Sequence, residues 1–250
     1  MISNFGLIAM KYSCAVISGY YGTDEGFGLK HKVKKYPCYF VTNNLYAADR
    51  ARELGWIVAV DESRKISSDK SISTMQGKCA KTNPSDFFDL DEYDYLLWVD
   101  DKLNFSENML IKREIDNLKD IGSLVSLRTH WNNEGNIWQE LALSIKQIRY
   151  RKHLLSYLKY IDNKIEGGYS ENGVMSACGV ILRVNKNNHV NQMFTDWSDE
   201  IKSSGLLNDQ ISFFFVRQKY KDIISEMDYP INHYQASYVF FKNLIKRLMS

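Results

Sequence analysis

The chain has 250 residues, 44% of them hydrophobic and 25% charged, with a formal net charge of +2 at pH 7. That length and apolar content suit one large core, and the near balance of charge argues against a nucleic-acid binder held by a broad basic face. The four cysteines, Cys14, Cys38, Cys79 and Cys178, lie far apart without Cys-x-x-Cys spacing, so they read as small buried hydrophobes of a reduced, cytoplasmic protein rather than as a disulfide frame or zinc site.

The first ten residues, MISNFGLIAM, are apolar but short and lack a basic leader or a cleavage pattern, so no signal peptide is expected, and no segment reaches transmembrane length. Ser13–Ser18 predicts a short strand that feeds the aromatic, glycine-bearing loop Gly19-Tyr20-Tyr21-Gly22. A strand at Tyr39–Thr42, a helix at Leu45–Leu54 and a strand at Ile57–Val60 follow, in the alternation of parallel α/β folds. Residues Asp61–Gly77 are polar, without a sustained period, and read as a loop near a substrate crevice. Lys78–Asp89 predicts a helix, with Pro84 at a start or kink.

The run Tyr95, Leu96, Leu97, Trp98, Val99 is apolar on both alternating faces, as expected of a strand covered on both sides. Ligands of open α/β sheets gather at the carboxyl ends of strands. Asp100, Asp101 and Lys102, just past Val99, are therefore placed to meet a charged substrate. Beyond them the pattern predicts an amphipathic helix over Glu107–Asp120, a strand over Ser123–Leu127, and a long basic helix over Trp138–Ile161 carrying Lys146, Arg149, Arg151 and Lys152. Gly173–Val184 reads as loop and strand, with helices at Val190–Ser203 and Asp209–Gln218. An amphipathic tail, Ser237–Met249, suits a core-capping helix, with peripheral membrane contact as the alternative. The fold class expected is α/β, a mixed and mostly parallel sheet flanked by helices in a single domain.

Several separated motifs occur together in one order. They are Lys81-Thr82-Asn83-Pro84; the strand from Glu92 to Asp100 with its Trp98-x-Asp100 ending; Arg128-x-His130 followed by Trp138-x-Glu140; Gly179-Val180-Ile181-Leu182-Arg183; and Asp209-Gln210-Ile211-Ser212-Phe213, preceded by Trp197 and Glu200. In this set, over about residues 13 to 220, the chain resembles a family of GT-A-like glycosyltransferase domains, long labelled a domain of unknown function, with plant mucilage-related, bacterial and phage members. The resemblance implies a Rossmann-like GT-A domain with a nucleotide-binding half over about 13–105 and an acceptor-side half over about 106–235. It implies transfer of a sugar from a nucleotide-sugar donor to a glycan acceptor, in surface-polysaccharide or viral glycan assembly, in a bacterial or host cytoplasm.

Such a reaction needs the diphosphate leaving group held and its growing charge stabilised. Metal-dependent GT-A enzymes gather a divalent cation on Asp-x-Asp, but here the third position after Asp100 is Lys102. Two arrangements follow. Either Asp100 and Asp101, helped by a distant residue such as His233, hold Mg²⁺ or Mn²⁺, which suit hard oxygen ligands and diphosphate, or Lys102 with Lys78 and Lys81 takes over much of the metal's role. Lys78 and Lys81 are one helical turn apart and can share a face.

Gly19 would let the nucleotide approach the backbone and Tyr20 would stack on its base, or else Tyr20 serves the core. His130, Trp138, Glu140 and Gln210 are expected to line the sugar or acceptor pocket. Asp209 either caps a helix or, with Glu140 as the other candidate, accepts the acceptor's proton. Arg183 binds phosphate or pairs with a buried carboxylate. A non-catalytic nucleotide- or carbohydrate-binding domain competes with the transferase because of Lys102. A hydrolase using Asp100 and Glu140 is a weaker third option.

Overall fold

In the computed structural model, the residues described are 13–23, 27–29, 32–33, 35–103, 108–130, 135–205 and 207–227. His233, the tail at 237–249 and the first ten residues lie outside them.

The alternating runs read from the sequence become strands whose two faces enter two different cores. In β1 (Cys14–Tyr20), Ala15 and Ile17 point to one face while Cys14 and Val16 point to the other. The alternation repeats in β2 (Cys38–Thr42), where Tyr39 and Val41 oppose Cys38 and Phe40. After β2, Asn44 caps α1 (Leu45–Glu53) by accepting from the Ala47 N–H, and the chain returns in β3 (Ile57–Val60).

The polar segment after β3 departs from the expected loop. Helix α2 (Lys70–Thr82) begins at Lys70, because the Asp69 carboxylate accepts the Ser71 N–H at 2.7 Å and fixes the first turn. It ends before Pro84, which instead opens a single 3-10 turn over Pro84–Asp86.

All five residues of β4 (Tyr95–Val99) are buried, with Leu96 and Trp98 in one core and Tyr95, Leu97 and Val99 in the other. Then come α3 (Asn108–Ile121), β5 (Val125–Thr129), α4 (Ile137–Ser144), α5 (Ile148–Arg151), α6 (Leu154–Glu166), β6 (Ser176–Val184), α7 (Asn188–Ser204), α8 (Asp209–Lys219) and β7 (Ile224–Glu226). The long helix expected over Trp138–Ile161 is thus three helices. An unbroken helix of that length would run straight for about 36 Å, whereas the breaks let Leu141, Tyr150, Tyr157 and Ile161 converge on one cluster with Phe214 and Phe215. The strand expected at Ser123–Leu127 is shifted to Val125–Thr129.

The seven strands form one sheet in the order β3-β2-β1-β4-β6-β5-β7. Pairing is parallel except where β6 runs antiparallel to both β4 and β5. Helices α7 and α8 contribute Met193, Trp197 and Phe213 to the core on one face, and α1 and α3 contribute Ala47, Ala51, Ile111 and Ile115 on the other. This is the mixed, mostly parallel, helix-flanked α/β domain expected. The order reverses between β1 and β4, and in open α/β sheets the carboxyl ends of strands at such a reversal are where a ligand crevice is expected.

Candidate active site

Asp100 follows β4 at that crevice, and its position is over-determined. Its backbone N–H donates to the Gly179 carbonyl at 2.8 Å, and the Trp98 indole N–H donates to its Oδ1 at 2.9 Å. A side chain at Gly179 would press on Leu103 at 3.0 Å and on Asp100 Oδ2 at 3.3 Å. Because β6 is antiparallel to β4, its beginning lies beside the end of β4. The β5–β6 register also jumps between Leu127↔Ile181 and Arg128↔Ala177, which releases residues 178–180 from β5 pairing. The Cys178 carbonyl then accepts from Lys81 Nζ at 2.9 Å.

Lys81 is the centre of the site. It is 7% exposed, and its ammonium lies 2.8 Å from Asp209 Oδ2 and 3.2 Å from Asp100 Oδ1. Lys78, one turn earlier on α2, reaches the same Asp209 oxygen at 2.9 Å. At the outer end Lys102 Nζ stands 3.9 Å from Asp100 Oδ2 and is 69% exposed. The five side chains make an alternating ladder, Lys78, Asp209, Lys81, Asp100, Lys102, that runs from the interior to solvent and carries one net positive charge.

The electrostatics follow from this ladder. Burial alone would raise the carboxyl of Asp209, but Lys78 and Lys81 override it and hold it far below the usual carboxylate range. Burial likewise opposes ionisation of Asp100, and Lys81 with Lys102 again wins, so it too is lowered. Burial would also lower Lys81, but the two carboxylates raise it and keep it charged. Asp101 behaves oppositely. Burial and the charge of Asp100 push it up to about 6, although its Oδ2 accepts the Gly28 N–H at 3.0 Å.

Asp209 does not cap its helix. Asn208 does, accepting the Gln210 N–H at 3.0 Å, and this leaves the Asp209 carboxylate, in the first turn of α8, for the lysines. The Asn208 amide also donates to Glu140 Oε1 at 3.0 Å and to Ser144 Oγ at 2.6 Å. Glu140 is buried and lies 3.9 Å from His130 Nδ1, so these two predicted residues are brought together beside the ladder. Burial lowers the His130 pKa, which keeps the ring neutral at pH 7. Tyr150 of α5 feels the charges of Asp209, Glu140 and Lys81, with burial raising its hydroxyl to about 12. Trp138 donates to Glu171 Oε2 at 3.0 Å, and Gln210 reaches the Ser176 carbonyl at 3.4 Å.

Arg183 is paired with no carboxylate among the described residues; it donates to the Thr82 carbonyl at 3.1 Å and lies 4.0 Å over the Phe194 ring, and burial lowers its pKa to about 9. Gly19 is not an open approach to the backbone, because a side chain there would meet Val41 Cγ1 at 3.0 Å and Trp98 at 3.3 Å. Tyr20 packs on Phe27, with ring centroids 5.5 Å apart. Cys178, Asn208 and Tyr150 were not singled out from the sequence as site residues, whereas Trp98 and Gly179 stood in two of the ordered motifs without a role assigned to them.

Among the described residues the donors do not make a divalent-cation site, and His233, the distant ligand expected, lies outside them. Asp100 Oδ1 is taken by Trp98 and Lys81, Asp101 Oδ2 by Gly28, and among the described residues no three His, Cys, Asp or Glu side chains are grouped to hold an ion. No helix among the described residues is long and apolar enough to cross a membrane.

The sequence matches no family model and no curated protein. Among solved structures, the fold is similar to that of mouse xyloside xylosyltransferase 1 in its apo form, with a TM-score of 0.47 and 10% identity over 86% of this chain and 85% of that one.

Proposed function

We propose that the chain is a GT-A-like glycosyltransferase of the family its ordered motifs resemble, moving a sugar from a nucleotide-sugar donor to a glycan acceptor. The observation that carries this reading is the charge ladder ending in exposed Lys102 at the carboxyl ends of β1 and β4. A diphosphate is met there by Lys102, backed by the net positive charge of the groups behind it, and the growing charge of the leaving group is stabilised by fixed cations. Residues of about 13–105, with Lys102, serve the nucleotide, and those of about 106–235 serve the acceptor.

Asp209 is a poor proton acceptor, since a carboxylate held so far below its ordinary range has little basicity. Its role is to fix the two lysines. The acceptor's proton is assigned instead to the Glu140–His130 pair, separated by 3.9 Å, and the sugar to Tyr150 and Trp138.

The test is turnover of a panel of nucleotide sugars with and without chelator, with Asp100→Ala as control. Product formed in chelator and lost in the variant supports the reading; tight binding of nucleoside diphosphate without turnover on any acceptor supports a binding domain. That second reading is favoured by the low basicity of Asp209. Absence of nucleotide binding overturns both.

A further inference from the structure

Between Glu140 and Asp162 the chain has no acidic residue but carries Lys146, Arg149, Arg151, Lys152 and Lys159. In a protein of net charge +2 this is a strong local excess. Among the described residues none of these five is within ion-pair distance of a carboxylate; Arg149 instead lies 4.5 Å over the Tyr150 ring, and Arg151 donates to the Ile145 carbonyl at 3.0 Å. Lys152 acts on Asp69, whose carboxyl is drawn down first by the Ser71 backbone N–H and only lastly by that lysine.

The same turn exposes aliphatic side chains. Ile148 is 59% and Leu155 80% exposed, on either side of Arg151 and Lys152, while Tyr150 and Tyr157 turn inward to the core. Two large apolar groups in water among unpaired cations are what an interfacial surface presents.

We propose that the α5–α6 surface docks on an anionic lipid bilayer, with Arg151 and Lys152 at the headgroups and Ile148 and Leu155 in the acyl boundary. A hydrated polyanion such as a nucleic acid or acidic glycan would answer the charge but offer nothing to the isoleucine and leucine, whereas a bilayer interface takes both. The inference is independent of the transferase reading. It leaves Tyr150 and Tyr157 in the core while the outward side chains rest on the membrane.

The test is co-sedimentation of the full chain with vesicles of phosphatidylcholine alone or of equal parts phosphatidylcholine and phosphatidylglycerol. Binding is expected only to the anionic vesicles. The double variant R151E/K152E is expected to lower partitioning roughly a thousandfold, and I148S/L155S about a hundredfold, while I148S/L155S keeps wild-type retention on the soluble polyanion heparin. All four residues are outside the proposed site, and circular dichroism verifies folding. The proposal is overturned if the wild type stays in the supernatant. It is equally overturned if I148S/L155S sediments like the wild type, which makes the surface a polyanion binder, or if both variants bind normally and K242E/K246E/R247E does not, which moves the contact to the terminal segment.

Discussion

Lys81 and Asp209, 128 residues apart in sequence, meet at 2.8 Å inside the protein, and the same ammonium reaches Asp100 at 3.2 Å. One lysine therefore binds α2 to α8 and to the end of β4. Lys81→Met would leave the buried Asp209 to Lys78 and the partly buried Asp100 to distant Lys102, with the cation between the two carboxylates gone and a loss of stability of about 3 kcal/mol. Urea unfolding is the measurement. Lys78→Met should cost clearly less, because Asp209 keeps Lys81; equal losses would deny Lys81 its central place.

The acid side of the stability curve follows from the two lowered carboxyls. Folded values of Asp209 and Asp100 lie below the unfolded value of about 3.9. Their contribution is therefore complete above that value and is lost as pH falls through the folded ones. Asp209→Asn should flatten the decline of stability below about pH 4. A decline as steep as in the wild type would show that other groups drive acid unfolding.

Asp101 has the opposite sign. Its folded pKa, about 6, is raised, so its stabilising share is present below the unfolded value and is lost as pH rises through 6. Asp101→Asn should therefore gain stability over the wild type at pH 7.5 and none near pH 4, since an amide oxygen can still accept the Gly28 N–H. Thermal melts at the two pH values compare them.

Lys102 is the exposed end of the ladder. Lys102→Ala should change stability by less than about 0.5 kcal/mol and weaken nucleoside diphosphate binding roughly tenfold, a loss that shrinks in high salt. Calorimetric titration reads both effects, and unchanged affinity would remove Lys102 from the phosphate site.

Gly19 tests a structural role against a ligand-facing one. Its absent side chain makes room for Val41 and Trp98, so Gly19→Ala should destabilise by about 1–3 kcal/mol through overpacking. Nucleotide affinity, measured well below the melting temperature, should stay within about twofold of the wild type.

The sequence by itself determined the layers. Alternation in β1, β2 and β4 is a local property, because side chains one residue apart must face opposite sides, and so the two-sided burial of Tyr95–Val99 was legible. The motif residues Asp100, Lys81 and Asp209 were also visible as chemistry-bearing positions. Helix α2 was misjudged because its serines and lysines have no apolar period, and its start depends on a single cap at Asp69. The basic segment after Trp138 was read as one helix because helix-period apolar spacing persists across the breaks at Ile145 and Lys152. Only the tertiary structure decided what the charged residues do to one another. An antiparallel β6, a register jump at Leu127/Arg128 and an asparagine cap on α8 bring a lysine between two carboxylates. Charge interactions depend on distance and burial through space, and neither quantity is written in the order of residues along a chain.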